Sequence, residues 1–202
     1  MQTPRANIVN EKQRRALLSP ARQEIVDALE AAGPGSVARL AELTGRPADG
    51  LYFHLRRLVA AGLVRERGQK REGRHKATVY ELTAAPLCLV YTDQPRVRSQ
   101  NGRIVAAAVR MSLREFGAAC ADASVRADGP SRRLWGGRAK GWLTPAELKR
   151  LVALVEEASA VLKAGTPRRN ATPVALGFLI APCEVKERTS SGRARPRKGK
   201  AP

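Results

Sequence analysis

The stretch from Leu51 to Arg67, LYFHLRRLVAAGLVRER, constrains the fold of this chain more than any other segment. Its apolar positions recur at helical spacing and are predicted to pack inward: Leu51, Leu55, Leu58 and Val59. Gly62 follows, where the end of a helix favours a residue that can take a positive φ. A strand is predicted from Leu63 onward. The segment therefore predicts a helix, a glycine stop and a strand.

Two further helices are predicted before this segment. Ser19-Pro20 marks the start of the first, because serine can cap free amides and proline suits the first helical position. The second starts after Ser36, and its apolar residues are predicted to face inward: Val37, Leu40, Ala41 and Leu43. The turn 44–46 contains a glycine and leads to a third helix at Pro47. Two helices joined by a turn of this length form a helix-turn-helix unit.

A basic hairpin is predicted after the third helix. Apolar and polar residues alternate over 63–67 and 78–82, which indicates two strands. The tip between them, GQKREGRHKA, is rich in lysine and arginine. A basic hairpin placed directly after a helix-turn-helix is typical of the winged helix-turn-helix, and it points to DNA.

The charge composition agrees with this interpretation. The chain of 202 residues has 37 Lys and Arg against 18 Asp and Glu, and its net charge of +19 favours polyanionic partners. Aromatic residues make up only 4%, which disfavours binding of single strands by base stacking. The sequence shows no apolar signal region and no apolar run of membrane-spanning length. We therefore expect a cytoplasmic, nucleoid-associated protein without a membrane partner.

Metal binding and enzymatic chemistry receive little support. Cys88, Cys120 and Cys183 are widely spaced, and neither they nor the two histidines have the close spacing that tetrahedral zinc requires. Buried reduced thiols are expected, and a metal or redox sensor built from distant cysteines is the alternative. The chain has no nucleophile elbow and no Walker-type glycine loop. We expect no cofactor, no metal and no catalytic residue.

Residues 17–83 resemble the winged helix-turn-helix of ArsR-type bacterial transcriptional regulators. The matching pieces are LLSPARQEIVDAL, VARLAELTGRP, YFHLRRLVAAGLVRER and TVYELT, and HLRRL followed by AGLV is fairly specific for this group. The resemblance implies a dimer on an inverted repeat, with the helix 47–61 in the major groove and the wing on the backbone or in the minor groove. Metal-sensing members carry cysteine pairs where this chain has VARLAEL, so metal sensing is not implied.

Residues 101–183 are predicted to form a small α/β module with strands at 134–143 and 172–181. Its first helix, over 101–127, has an apolar face: Val105, Val109, Phe116, Ala119 and Ala123. A capping box at 144–147 starts another helix, whose apolar side is either core or a dimer interface: Leu148, Leu151, Val152, Val155 and Leu162. Trp135 and Trp142 are either core residues or the lining of a pocket for an unidentified small-molecule effector.

The whole chain is predicted to be mainly α with small β, an α+β protein. It is divided into a flexible basic arm at 1–16, the winged helix-turn-helix at 17–86 and a linker at 87–100. The C-terminal α/β module at 101–183 serves dimerisation or sensing, and a disordered basic tail follows at 184–202.

Candidate DNA-binding residues fall into two sets. The exposed side of the third helix would reach bases or phosphates through Ala48, Asp49, Gly50, Tyr52, Phe53, His54, Arg56 and Arg57. The wing would contact phosphates, which positions the protein without reading sequence, through Arg67, Lys70, Arg71, Arg74, His75 and Lys76. Arg56 either donates two hydrogen bonds to guanine or contacts a phosphate, and His54 either contacts a phosphate or is half buried. A solvated helix face and a loose charged loop are the alternatives for the two sets.

These patterns predict a dimeric, sequence-specific regulator of transcription that binds double-stranded DNA. One rival is a non-specific architectural nucleic-acid-binding protein that acts through charge alone. The other is an adaptor whose winged helix binds proteins. A regulator prefers certain sequences by orders of magnitude, a coating protein does not, and an adaptor binds no DNA, so competition between DNA sequences separates the three.

Overall fold

The computed structural model describes residues 6–8, 10–73 and 75–183. Its elements are mostly helices joined by short strands, which confirms the predicted α+β class. In chain order they are β1 (Ala6–Ile8), α1 (Glu11–Leu17), α2 (Pro20–Ala32), β2 (Gly35–Ser36), α3 (Val37–Thr44), α4 (Ala48–Ala60), β3 (Val64–Glu72), β4 (His75–Leu82), β5 (Leu87–Leu89), α5 (Pro95–Ala121) and α6 (Pro145–Lys163).

The core lies where α2, α3 and α4 meet. Leu51, Leu55 and Leu58 of α4 are at most 1% exposed, because a spacing of three to four residues keeps them on one side of the helix. They pack with the buried Ile25, Val26 and Leu29 of α2 and the buried Val37 and Leu40 of α3. The predicted inward positions of Val59 and Leu43 are wrong, since both residues lie beside the buried stripes and face solvent.

Within the helix-turn-helix the predicted helix ends are confirmed except for one cap, whereas the helix predicted over 101–127 spans Pro95–Ala121. Ser36 accepts a hydrogen bond from the Arg39 amide at 3.3 Å, as expected. Gly45 ends α3 with a φ of 65°, a left-handed conformation that lets the chain turn at once into α4. The expected side-chain cap by Ser19 is wrong: its hydroxyl makes no capping bond.

A three-stranded antiparallel sheet in the order β2-β4-β3 forms the wing. The ladder between β3 and β4 runs from the pair Val64 and Leu82 to the pair Glu72 and His75. The strands extend further than predicted, because most of 68–77, the predicted hairpin tip, is paired in this ladder. Strand β2 pairs with β4 only at Tyr80 and Val79, so beyond these residues the wing consists of β3 and β4 alone.

The N-terminal residues are ordered, so the prediction of a loose arm is wrong for 6–8 and 11–16. Strand β1 pairs in parallel with β5, with Ala6 opposite Leu87 and Ile8 opposite Leu89. Helix α1 starts with a capping box in which Asn10 and Gln13 bond each other's backbone amides. The linker expected at 87–100 contains β5 and the start of α5. The rest of the arm, residues 1–5 and 9, and the tail at 184–202 lie outside the described residues.

Helix α5 packs on α1 and α2. Its buried residues, the last in the described part of the chain, are Val97, Asn101, Ile104, Ala107 and Met111. The apolar face predicted at Val105, Val109, Phe116, Ala119 and Ala123 is wrong, because these positions are at most half-buried. Asn101 is fully buried and donates a hydrogen bond to the Val90 carbonyl at 3.0 Å, a polar anchor that apolar periodicity could not indicate.

The predicted strands at 134–143 and 172–181 are wrong, since both stretches are irregular coil in this chain. The capping box of α6 is confirmed, with Thr144 and Glu147 as its members. No residue of α6 is buried, however, so the core interpretation of its apolar side does not hold within a single chain. Trp135 and Trp142 are likewise exposed and belong to no core.

Candidate nucleic-acid interface

Helix α4 exposes the side opposite its three buried leucines. Tyr52 and Phe53 are 51% and 49% exposed, and Arg56 and Arg57 are exposed beside them. At the start of the helix, Asp49 and Gly50 are exposed and Ala48 is half-buried. The predicted residues therefore share one helix, but they do not all point in the same direction.

Tyr52 and Arg56 face the wing. Both act electrostatically on Tyr80 of β4, whose pKa is raised first by burial and then by Glu66 and Tyr52, while Arg56 opposes the rise. Tyr52 and Arg56 therefore mark the side of α4 that is within electrostatic range of Tyr80, and α4 contacts β3 of the same sheet. This side joins the helix and the wing into one surface.

Phe53 and Arg57 lie about a quarter of a turn further round α4 and face α1. The Arg57 guanidinium lies 5.3 Å from the centre of the Phe53 ring, a cation–π contact across one helical turn. The two side chains line a groove whose other wall includes Lys12 and Arg22. Burial and the nearby Arg57 lower the pKa of Arg22. This basic groove was missed at the level of sequence, although the Asn10-to-Gln13 capping box signals the helix that forms it.

His54 lies between the two exposed sides and points inward. It is half-buried, and its Nδ1 is buried with no hydrogen-bond partner in the described structure. Burial, together with the charges of Arg22 and Arg46, lowers its pKa. The ring is therefore neutral near pH 7 and is poorly suited to hold a phosphate by charge.

The turn before α4 is anchored by Glu24 of α2. Its carboxylate forms an ion pair with Arg46, and its other oxygen lies 3.8 Å from Arg114 of α5. The hydrogen bond that Arg46 donates to the Glu24 carboxylate raises the pKa of Arg46. One carboxylate thus connects the turn of the helix-turn-helix with α5.

At the base of the wing, Arg67 is neutralised. It lies at a bulge between Glu66 and Gly68, and its guanidinium is 3.2 Å from Glu81. Arg65 binds the other oxygen of the same carboxylate at 2.8 Å. Of the predicted wing contacts, Arg67 is therefore the one that forms an ion pair with a described carboxylate, which it shares with Arg65.

The tip of the wing presents uncompensated positive charge. Lys70, Arg71, His75 and Lys76 are exposed, and Arg71 lies directly opposite Lys76 in the ladder. Like charges in opposite positions repel each other and destabilise a ladder. Among the described residues no carboxylate forms an ion pair with Lys70, Arg71 or Lys76. An anion placed at the tip would relieve this repulsion. Arg74 lies outside the described residues.

The described residues contain no group of three histidine, cysteine or acidic side chains placed to hold a metal ion. The three cysteines form no disulfide in the described structure; the expectation of buried thiols is wrong for Cys120 and Cys183, which are exposed, and Cys88 is half-buried. Within 6–8, 10–73 and 75–183, no helix combines the length and apolarity that a membrane span needs.

Comparison with known proteins supports the helix-turn-helix. Two solved regulators are weakly similar in structure. One is Bordetella bronchiseptica BpsR, whose DNA binding is regulated by 6-hydroxynicotinic acid (17% identity, 73% of this chain, 92% of that chain, TM-score 0.31). The other is transcriptional regulator PA4135 (15% identity, 73% of this chain, 85% of that chain, TM-score 0.29). TM-scores of this size establish no common fold. No curated protein matches the chain. Residues 17–67, which span α2, α3, α4 and the start of the wing, match the family model of the helix-turn-helix domain.

Proposed function

We propose that this protein is a dimeric, ArsR-type transcriptional regulator that binds specific sequences of double-stranded DNA in the cytoplasm. The observation that carries the proposal is the surface shared by α4 and the wing. Tyr52 and Arg56 lie exposed beside β4, and the cations at the wing tip have no described carboxylate partner. A helix and a basic ribbon side by side fit a groove and the phosphates that flank it.

Helix α4 enters the major groove. B-DNA's major groove is about 12 Å wide and admits one α-helix. The buried leucines hold α4 rigidly, so Tyr52 and Arg56 approach the base edges in a fixed orientation. Arg56 donates two hydrogen bonds to a guanine, which is the geometry that a guanidinium fork allows. Phe53 and Arg57, on the side of α1, lie along the sugar-phosphate edge.

The wing positions the protein on the backbone. Lys70, Arg71 and Lys76 neutralise phosphates and release condensed counterions, which adds affinity on every sequence. This division of roles separates a regulator from an architectural protein, because the architectural protein would depend on charge alone.

Selection of bound sequences from a random DNA pool tests sequence specificity. We expect enrichment of one inverted repeat, whereas an architectural protein would enrich none and an adaptor would bind no DNA. On the selected site, Arg56→Ala should weaken binding by about 1–3 kcal/mol and relax the preference at one base pair. Arg103→Ala, which removes an exposed arginine from α5, is the matched control. Equal losses for the two variants would contradict base reading by Arg56.

The apolar side of α6 supports the dimer. Leu148, Leu151, Val152 and Leu162 are exposed and Val155 is half-buried, so this side is uncovered in a single chain. Two chains of net charge +19 repel each other, and burial of apolar area at about 25 cal/mol per Å² offsets that repulsion. Replacing Leu151 and Val155 by glutamate should convert the dimer to a monomer in light scattering. A monomeric unmodified protein at micromolar concentration would contradict the dimer. We also propose that the protein binds an unidentified small-molecule effector, and we assign no site to it.

A further inference from the structure

The last irregular segment of the described chain has the composition of a strand but no strand partner. Residues 172–181 read TPVALGFLIA and contain no charged residue. Within the part of the chain that the structure describes, no backbone hydrogen bond reaches residues 172–183. Burying this apolar segment would also remove water from its backbone amides and carbonyls. Any surface that buries the segment must therefore supply hydrogen bonds to that backbone.

The segment lies against α5. A Cβ placed on Gly177 would come within 2.9 Å of the Ser112 hydroxyl, so the backbone at this point touches the helix directly. Gly136, in the other irregular stretch, has the ring of Phe116 at 3.2 Å from the same ideal Cβ position. Ser112 and Phe116 are one helical turn apart on the same side of α5. Both stretches therefore lie over this side of the helix.

Side-chain size alternates over the first part of the segment. Val174, Leu176, Phe178 and Ile180 occupy every second position and are 58%, 47%, 51% and 43% exposed. Ala175 and Gly177 are the small residues between them, and Gly177 approaches α5, whereas Leu179 is large and 65% exposed. A period of two over 174–178 is typical of a strand, and the run 178–180 is apolar on both sides of it.

A second copy of the chain is the occupant that fits this edge. A two-fold interface requires a patch that complements itself, and an uncharged strand does so without bringing like charges together. The exposed large apolar side chains after Asp122 offer on the order of 1,000 Å² per chain. A stable interface buries about 800 Å² per partner. The strand supplies only part of this area, so a stable dimer would also cover apolar residues outside it, such as those on the exposed side of α6.

We propose that residues 174–181 of two copies pair as antiparallel strands about a two-fold axis, above the α5 helices. Proline cannot donate to a ladder, and Pro173 and Pro182 bracket the segment. Opposite residues of an antiparallel pair share one face, so a two-fold axis between the strands places one residue opposite its own copy. The register with Gly177 opposite Gly177 of the other chain gives every residue of 174–181 a partner. This inference rests on the dimer of the proposed function and adds to it the strand through which the two chains meet.

Hydrogen exchange on the unmodified protein, read together with its mass by light scattering, tests the pairing. We expect a dimer in which amides of 174–181 exchange at least about tenfold more slowly than in a sample diluted to monomer. A dimer with fast exchange over 174–181 overturns the inference but leaves the dimer of the proposed function standing. A monomer with slow exchange means that the segment pairs within its own chain, which also overturns the inference. A monomer with fast exchange overturns both proposals.

Charge placed on the strand provides a second test. Ile180→Asp should raise the dimer dissociation constant by at least about tenfold, because it puts two carboxylates into the ladder. Leu43→Asp is the matched control, since Leu43 is 40% exposed and Ile180 is 43% exposed, and α3 lies outside the proposed interface. An unchanged dissociation constant for Ile180→Asp contradicts the pairing. If this variant fails to fold, the exchange experiment on the unmodified protein still decides the question.

Discussion

Helices α4 and α6 each have an apolar stripe, but the stripe of α4 is buried and the stripe of α6 is not. Helix α4 has no side-chain cap at its first turn, yet it buries Leu51, Leu55 and Leu58 completely. Helix α6 begins with a complete capping box and buries none of its residues. The difference arises from the neighbours: α2, α3 and β3 contact α4, whereas no described element covers α6.

The same contrast divides the molecule. Every buried residue of the described chain lies between Ile8 and Met111. Beyond Met111 the structure has a well-formed helix and much exposed apolar surface but no core. Local signals are therefore sufficient to form a helix, while the packing of that helix depends on which surfaces the chain, or a second chain, brings to it.

The contrast between α4 and α6 can be tested by shortening one apolar side chain in each helix and measuring the free energy of unfolding. Leu55→Ala should lower the free energy of unfolding by about 3 kcal/mol at any protein concentration, because the cavity is inside one chain. Leu151→Ala should have little effect in dilute solution and a larger effect at high concentration, where the proposed partner covers the side chain. Urea unfolding at two protein concentrations measures both. A loss for Leu151→Ala that equals the loss for Leu55→Ala in dilute solution would contradict the comparison.

Sequence patterns predicted the packed half better than the open half. The stripe of α4, the Ser36 cap and the glycine stops could be predicted because adjacent residues determine them. Helix α1 was not predicted, because it has few apolar residues and the polar, basic composition of 1–16 indicated a flexible arm. The strands expected at 134–143 and 172–181 are coil, because a strand needs a hydrogen-bonding partner and the described residues offer these segments none.

Substitutions in the wing test whether its exposed charges bind DNA, whereas the exposed apolar area after Met111 is proposed to bind a second chain. Replacing Arg71 and Lys76 by alanine should reduce the salt slope of DNA binding by roughly two and weaken binding about tenfold on all sequences alike. The variant Arg98→Ala/Arg103→Ala removes the same charge from α5 and should leave the slope nearly unchanged. The measurement is a salt titration of affinity on specific and random DNA. An unchanged salt slope for the wing variant would contradict contact between the wing and the DNA phosphates.

Sequence reasoning found the residues of the candidate interface but not their directions. The exposed positions of α4 follow from helical periodicity. Their division into a side with Tyr52 and Arg56 and a side with Phe53 and Arg57 depends on where β4 and α1 lie. The neutralisation of Arg67 by Glu81 depends on a bulge that shifts the register, and no residue pattern specified that bulge.

The smallest expected effect concerns Asp27, which lies in the groove where the packed half meets residues 174–180. Part of the Asp27 side chain is exposed, yet the crowding of its carboxyl by the surrounding protein, and then Glu30, Glu115 and Glu24, raise its pKa to about 7. The folded chain therefore holds this proton more tightly than the unfolded chain. The resulting stability is complete below about pH 4 and is lost as the pH rises to about 7.

Asp27→Asn should accordingly stabilise the protein by no more than about 1 kcal/mol at about pH 8, a value reduced for the open side of the group, and change little at about pH 4. Thermal unfolding at the two pH values measures this. Asp128→Asn, at an exposed aspartate, is the control. A gain of equal size at both pH values would show that the carboxylate charge is not the cause.

The pairing of β1 with β5 has a consequence for the order of folding. It joins Ala6 to Leu87 and so closes a loop that contains the entire helix-turn-helix and the wing. Closing a loop of this length costs more chain entropy than forming the helices and the hairpin inside it, so the first strand is expected to dock late. During synthesis, residues 6–8 leave the ribosome first yet must wait for residues 87–89 before Ile8 can be buried. Pulse-labelled hydrogen exchange during refolding should therefore find the amide of Ile8 protected after that of Leu55.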